Sequence, residues 1–232
     1  MLQMKKAIQL ACVAVVVGAL GSAVMADGIG FTLDGSSSAY ATAYADLIEY
    51  PWNSQTSSSI DGTTPATVVA LAMYGDFDEF GNWFDYYVMT EVQANITASN
   101  NTIQSSGSLS MDANSPGTST GSIDNYFSGT ITIGTSDAFP NGTEGLMLEI
   151  SMNAGIDDLV EMEINSSYVS SSTEIAVFAG EVLNIEFRHT GYLTEEHSSS
   201  ASAYFSVTPE PATMTLLAIG GLALLRQRRR RK

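Results

Sequence analysis

Between residues 27 and 208 apolar and polar residues alternate with a period of two in a series of short runs. The alternation is clearest over residues 38–49, 86–96, 130–133, 146–152, 160–169, 174–178, 182–188 and 202–207, and residues 67–73 are a nearly continuous run of Val, Ala and Leu. A period of two puts successive side chains on opposite faces of a strand, one face for a core and one for solvent. Turn chemistry separates the runs: Asp34-Gly35, Asp61-Gly62, Ser115-Pro116-Gly117, Pro140-Asn141-Gly142 and Ala179-Gly180. Residues 53–59, 114–120 and 170–173, rich in Ser, Thr and Asn, read as loops. With no stripe of period 3.6, the pattern predicts about ten strands in a single all-β domain, an antiparallel β-sandwich or jelly roll. No fixed internal repeat supports a solenoid. Residues 31–44 and 202–207 share a texture of small and aromatic residues and are expected to lie side by side in one sheet.

The two ends break this pattern. Lys5 and Lys6 precede an apolar stretch, residues 7–20, and Val24-Met25-Ala26 supplies small residues at a cleavage site. That is the layout of a secretory signal peptide over residues 1–26, cut between Ala26 and Asp27 and delivered to the Sec translocon. Cys12, the only cysteine, falls inside the apolar stretch and leaves with it, so the mature chain has no thiol for disulfides, metal ligation or nucleophilic attack.

At the other end Pro209-Glu210-Pro211 is followed by an apolar segment, residues 212–225, and then by Arg226, Arg228, Arg229, Arg230, Arg231 and Lys232. The order is a helix breaker, a short transmembrane helix and a cationic stop held in the cytoplasm by the positive-inside rule. These fourteen residues, apolar apart from Thr213 and Thr215, give about 21 Å at about 1.5 Å each, short for a permanent span. The triad over residues 208–232 resembles the PEP-CTERM sorting signal of certain Gram-negative bacteria. The resemblance implies an exosortase, a membrane peptidase, as processing partner, and a producer of exopolysaccharide as host. The expected organisation is therefore a signal peptide (1–26), an acidic sandwich (27–207) and a sorting tail (208–232).

Charge narrows the function. Residues 27–208 carry 24 acids and a single base, Arg188, for a net charge of −23. Such a body cannot neutralise phosphates, which excludes a nucleic-acid binder, and it lacks the Lys and Arg that sites for phosphorylated metabolites recruit. The catalytic motifs are missing as well. His189 and His197 are the only histidines, and no HExxH motif occurs.

The densest acidic run is residues 76–85. Asp76, Asp78, Glu79 and Asp85 are candidate calcium ligands, although the EF-hand pattern fails where Phe80 and Tyr87 replace oxygen donors. Trp52 and Trp83 are candidate platforms for stacking on sugar rings. The expectation is a non-enzymatic surface or matrix protein associated with exopolysaccharide. A calcium-dependent carbohydrate-binding module is the alternative, and a polysaccharide-active enzyme with paired carboxylates comes third.

Overall fold

The computed structural model describes residues 29–49, 56–62, 65–99 and 101–210, with the backbone alone for 56–62. The signal-peptide site at Ala26 and Asp27, Trp52, Pro211, the apolar segment 212–225 and the basic tail lie outside the described residues.

The strands are β1 (Phe31–Leu47), β2 (Thr56–Gly62), β3 (Ala66–Phe77), β4 (Trp83–Ser99), β5 (Thr102–Ala113) and β6 (Gly117–Ile133). They continue with β7 (Leu146–Ala154), β8 (Leu159–Ile164), β9 (Ser167–Tyr168), β10 (Ser172–Val177), β11 (Val182–Leu193) and β12 (Ser199–Pro209). No helix occurs among the described residues. Every pairing is antiparallel, in two six-stranded sheets ordered β2-β1-β6-β11-β8-β9 and β10-β7-β12-β5-β4-β3.

From β5 onward the chain shuttles between layers, so that β5-β12-β7-β10 faces β6-β11-β8-β9. This is the strand order of two interlocked Greek keys, the jelly roll. Strands β1 to β4 widen both sheets on one side, with β1 packed over β4 and β2 over β3. The all-β antiparallel sandwich expected from the alternation is the architecture observed.

The core is built by fitting large side chains against very small ones. Strand β1 turns Ala39, Ala41, Ala43 and Ala45 inward, and β3 turns Ala66, Ala70 and Ala72 inward. Phe127, Phe187 and Phe205 fill the space elsewhere, with Phe127 and Phe187 directly paired across β6 and β11. Strands β5 and β6 use glycine in the same way. A Cβ on Gly107 would come within 2.7 Å of Ile123 Cδ1, and one on Gly121 would overlap Val92. Both glycines face inward because a side chain from the opposite sheet already occupies their place.

That packing explains where sequence and structure differ. Asp34-Gly35 is not a turn but lies within β1, where Gly35 pairs with Gly129. The ring of Phe127 covers this pair, and a Cβ on Gly35 would come within 2.6 Å of its Cζ. Glycine here makes room for an aromatic ring rather than a reversal of the chain. Residues 56–59 and 117–120, read as loop, belong to β2 and β6, and residues 102–113 form a strand despite their serines and glycine. The run 160–169 is two strands joined at Asn165 and Ser166, both at positive φ (48° and 62°), the geometry of a tight type I′ hairpin. Residues 31–44 and 202–207 do meet, but not in one sheet. Strands β1 and β12 belong to opposite layers, and the rings of Phe31 and Phe205 touch edge to face at 6.4 Å across the sandwich.

Candidate functional site

The acidic run 76–85 is the hairpin joining β3 to β4. Asp78 organises the turn. Its Oδ1 accepts the backbone N–H groups of Phe80 at 2.9 Å and Asn82 at 2.7 Å, and its Oδ2 accepts Asn82 Nδ2 at 2.9 Å. The Asn82 side chain first, then the backbone amides, hold the Asp78 carboxyl below the usual carboxylate range. Asp76 accepts the N–H of Phe77, and Asp85 accepts Trp83 Nε1 at 2.7 Å. Three of the four acids proposed as calcium ligands are thus occupied within their own hairpin. Among the described residues no group of three or more His, Cys, Asp or Glu is gathered closely enough to hold a metal ion.

The aromatic residues of this hairpin face solvent. Phe77, Phe80, Trp83 and Phe84 are all exposed, Phe80 most of all at 80%. Trp83 pairs with Phe77 across the strands, ring edge to ring face at 4.9 Å, and its indole lies over Gly75, where a Cβ would collide with it. The Asp85 bond, Phe77 and Gly75 therefore fix the orientation of a half-exposed indole.

The second cluster is buried between the sheets. His189 of β11 is fully enclosed. Its Nδ1 lies 2.7 Å from Ser105 Oγ and its Nε2 lies 2.9 Å from Ser199 Oγ. Ser199 donates its proton to Asp158 Oδ1 at 2.6 Å, and the N–H of Ser200 donates to Asp158 Oδ2 at 2.9 Å. Since the Ser199 proton is committed to the carboxylate, its oxygen must accept from Nε2–H. Nδ1 is then the acceptor for the Ser105 hydroxyl.

Burial depresses the His189 pKa more than the Asp158 carboxylate, 3.6 Å from Nε2, raises it, and the ring is neutral near pH 7. Serine, histidine and aspartate are the ingredients of nucleophilic catalysis. Here the Ser105 side chain is on the inward series Ile103, Ser105, Gly107, and the residue is 4% exposed. Its hydroxyl is directed between the sheets, toward His189 and Asn125.

The inward position of His189 was legible in the series Leu183, Ile185, Phe187, whereas Asp158, in the loop before β8, carried no comparable signal. His197 closes the two-residue turn Glu195-Glu196 between β11 and β12, bridged to Thr194, and its Nε2 is buried without a hydrogen-bond partner. Arg188 is held bidentate by Asp124, Nε to Oδ1 at 2.8 Å and the second nitrogen to Oδ2 at 2.5 Å. The body's one base is thereby neutralised locally.

The sorting tail begins inside the sandwich. Val207, Thr208 and Pro209 pair with Leu148, Met147 and Leu146 of β7, and the N–H of Glu210 donates to Gly145 O at 2.8 Å. Ser206 and Thr208 both donate to Glu149, one to each carboxylate oxygen. Pro209 is tolerated at the last position of β12, where a missing N–H interrupts no further ladder.

No curated protein and no solved structure matches the chain. The family model of the PEP-CTERM protein-sorting motif matches residues 207–231. The chain accordingly carries a PEP-CTERM sorting signal, which marks it for export, for membrane anchoring and for processing by an exosortase.

Proposed function

We propose that this is a non-enzymatic component of the cell surface or extracellular matrix, which associates with exopolysaccharide after its tail is processed. The observation that carries the reading is the β3–β4 hairpin on a body addressed to the envelope. It holds an oriented indole, Trp83, beside exposed Phe77, Phe80 and Phe84 and hydrogen-bonding carboxylates. Flat rings with acceptor groups at their edges suit the faces and hydroxyls of pyranose sugars. A charge of −23 over residues 27–208 keeps the body soluble and disfavours contact with polyanions.

The non-catalytic part of the reading draws on the closed setting of His189, whose two serine partners, Ser105 and Ser199, are both buried with it. The engaged carboxylates of Asp76, Asp78 and Asp85 favour an association that does not depend on calcium in this hairpin.

Sedimentation of the exported protein with exopolysaccharide from its producing bacterium tests the proposal. Co-sedimentation that weakens in Trp83→Ala is expected. Protein remaining wholly in the supernatant contradicts it.

A further inference from the structure

The second sheet carries a depression of about 420 Å³ on its outer face, at the end of β4 opposite the aromatic hairpin. Ten residues separate Asp85 from Asn95 along that strand, about 33 Å at the usual rise. Asn95 and Thr97 of β4, Gln104 and Ser106 of β5, Asn153 of β7 and Ser202 of β12 line it, and no charged residue does. The 24 acids of the body thus stay out of its lining. The amides and hydroxyls of these six residues form no hydrogen bond within the protein among the described residues, so each keeps its donors and acceptors for a ligand. Tyr204, half-exposed, follows Ser202 by two residues on the same face of β12.

The floor is fixed from below by the buried cluster. Asn125 Nδ2 lies 3.1 Å from Asn95 O, 3.2 Å from Ser106 O and 2.7 Å from Ser105 Oγ. Asp158 accepts the N–H of Ser200, another lining residue, and the N–H of Gly155 donates to Ser200 O at 2.8 Å. Strands of both layers are thus tied under the depression, so its polar groups need little ordering when a ligand arrives. A sugar hydroxyl donates and accepts at once, and so do Ser, Thr and paired amide groups.

The geometry points to a binding site for an uncharged, hydroxyl-rich glycan chain in this depression. The inference rests on the polysaccharide reading above and adds to it a second contact surface and a preference for neutral over acidic sugars. Because no ion pair contributes, binding here is insensitive to salt.

The test uses the exported protein and exopolysaccharide of its producing bacterium, split by anion exchange into neutral and acidic fractions. Affinity electrophoresis is run on the wild type, on the triple variant Asn95→Ala, Gln104→Ala, Asn153→Ala, and on Trp83→Ala. All three amides of the triple variant are on outward-facing strand positions, and a thermal melt checks that it stays folded. The expected result is retardation by the neutral fraction that the triple variant weakens about tenfold or more and salt leaves unchanged.

Retardation by the acidic fraction alone overturns the site. So does neutral binding that survives the triple variant and falls only in Trp83→Ala, although the polysaccharide reading then stands. If neither fraction retards the wild type, the site and the reading both fail.

Discussion

Ser105 of one sheet donates a hydrogen bond to His189 of the other at 2.7 Å, in a place where neither side chain meets water. The two layers are therefore joined by a polar stitch as well as by apolar contact, and His189 passes the connection through Ser199 to Asp158. A buried network of this kind favours one register between the sheets, because a slip would leave donors or acceptors unpaired beyond the one already orphaned, Asn125 Oδ1. Removing the Ser105 hydroxyl in Ser105→Ala is expected to cost about 1–3 kcal/mol in denaturant unfolding. An unchanged midpoint would show that the stitch adds nothing.

The same ring sets a pH dependence. Burial holds the His189 pKa below its ordinary 6.5, so the unfolded chain takes up a proton that the folded one resists. Stability from this group is full above about pH 6.5 and is lost as pH falls through the depressed folded value. Falling net negative charge works in the opposite direction, so the effect is read by difference. Between pH 7.5 and 5.5 the wild type should lose stability relative to His189→Gln. Parallel curves for the two proteins would place the ring's titration elsewhere.

Glycine packing gives a paired test. Gly107→Ala pushes a methyl against Ile123 and is expected to cost about 1–3 kcal/mol. The three nearest atoms there belong to the Ile123 side chain, so combining it with Ile123→Val should recover part of the loss. Strictly additive costs in a double-mutant cycle would show that the two side chains do not compete for one space.

Calcium should act only as an electrolyte. Asp78 spends both oxygens on its own turn, and Asp76 and Asp85 are also engaged. Millimolar calcium is expected to raise the melting temperature no more than monovalent salt of equal ionic strength. A saturable excess over the salt control would restore a specific site.

The sorting tail allows a prediction about its own removal. Residues 207–209 are paired with β7 and Glu210 is bonded to Gly145, so a cut before Glu210 would require peeling the last strand. Intact-mass measurement of the released protein is expected to place its C-terminus at Glu210 or beyond. A C-terminus at or before Thr208 would mean that processing precedes folding or unzips β12.

Much of the fold was legible because alternation marks a strand wherever inward positions are large and apolar, as in Val88, Val92 and Ile96 of β4. It failed where the inward residues were Gly or Ser. Strands β5 and β6 face the core with Ser105, Gly107, Ser119 and Gly121, and only the opposite sheet shows why such residues belong there. The C-terminal sorting motif was readable, since it works through local order along the chain. The buried cluster was not, because Ser105 and Asp158 reach His189 and Ser199 only when segments far apart in the sequence fold together. The depression between β4, β5, β7 and β12 was hidden for the same reason. Its lining alternates with core residues in the sequence and converges only across the sheet.

The most direct measurement is to locate the protein in cultures of its bacterium with and without the exosortase, separating membranes, exopolysaccharide and cleared medium. A processed, sorted matrix component is expected in the exopolysaccharide fraction of the parent strain, and at the membrane with its tail intact when the peptidase is missing. Protein in the cleared medium of the parent strain, free of polysaccharide, would contradict the account.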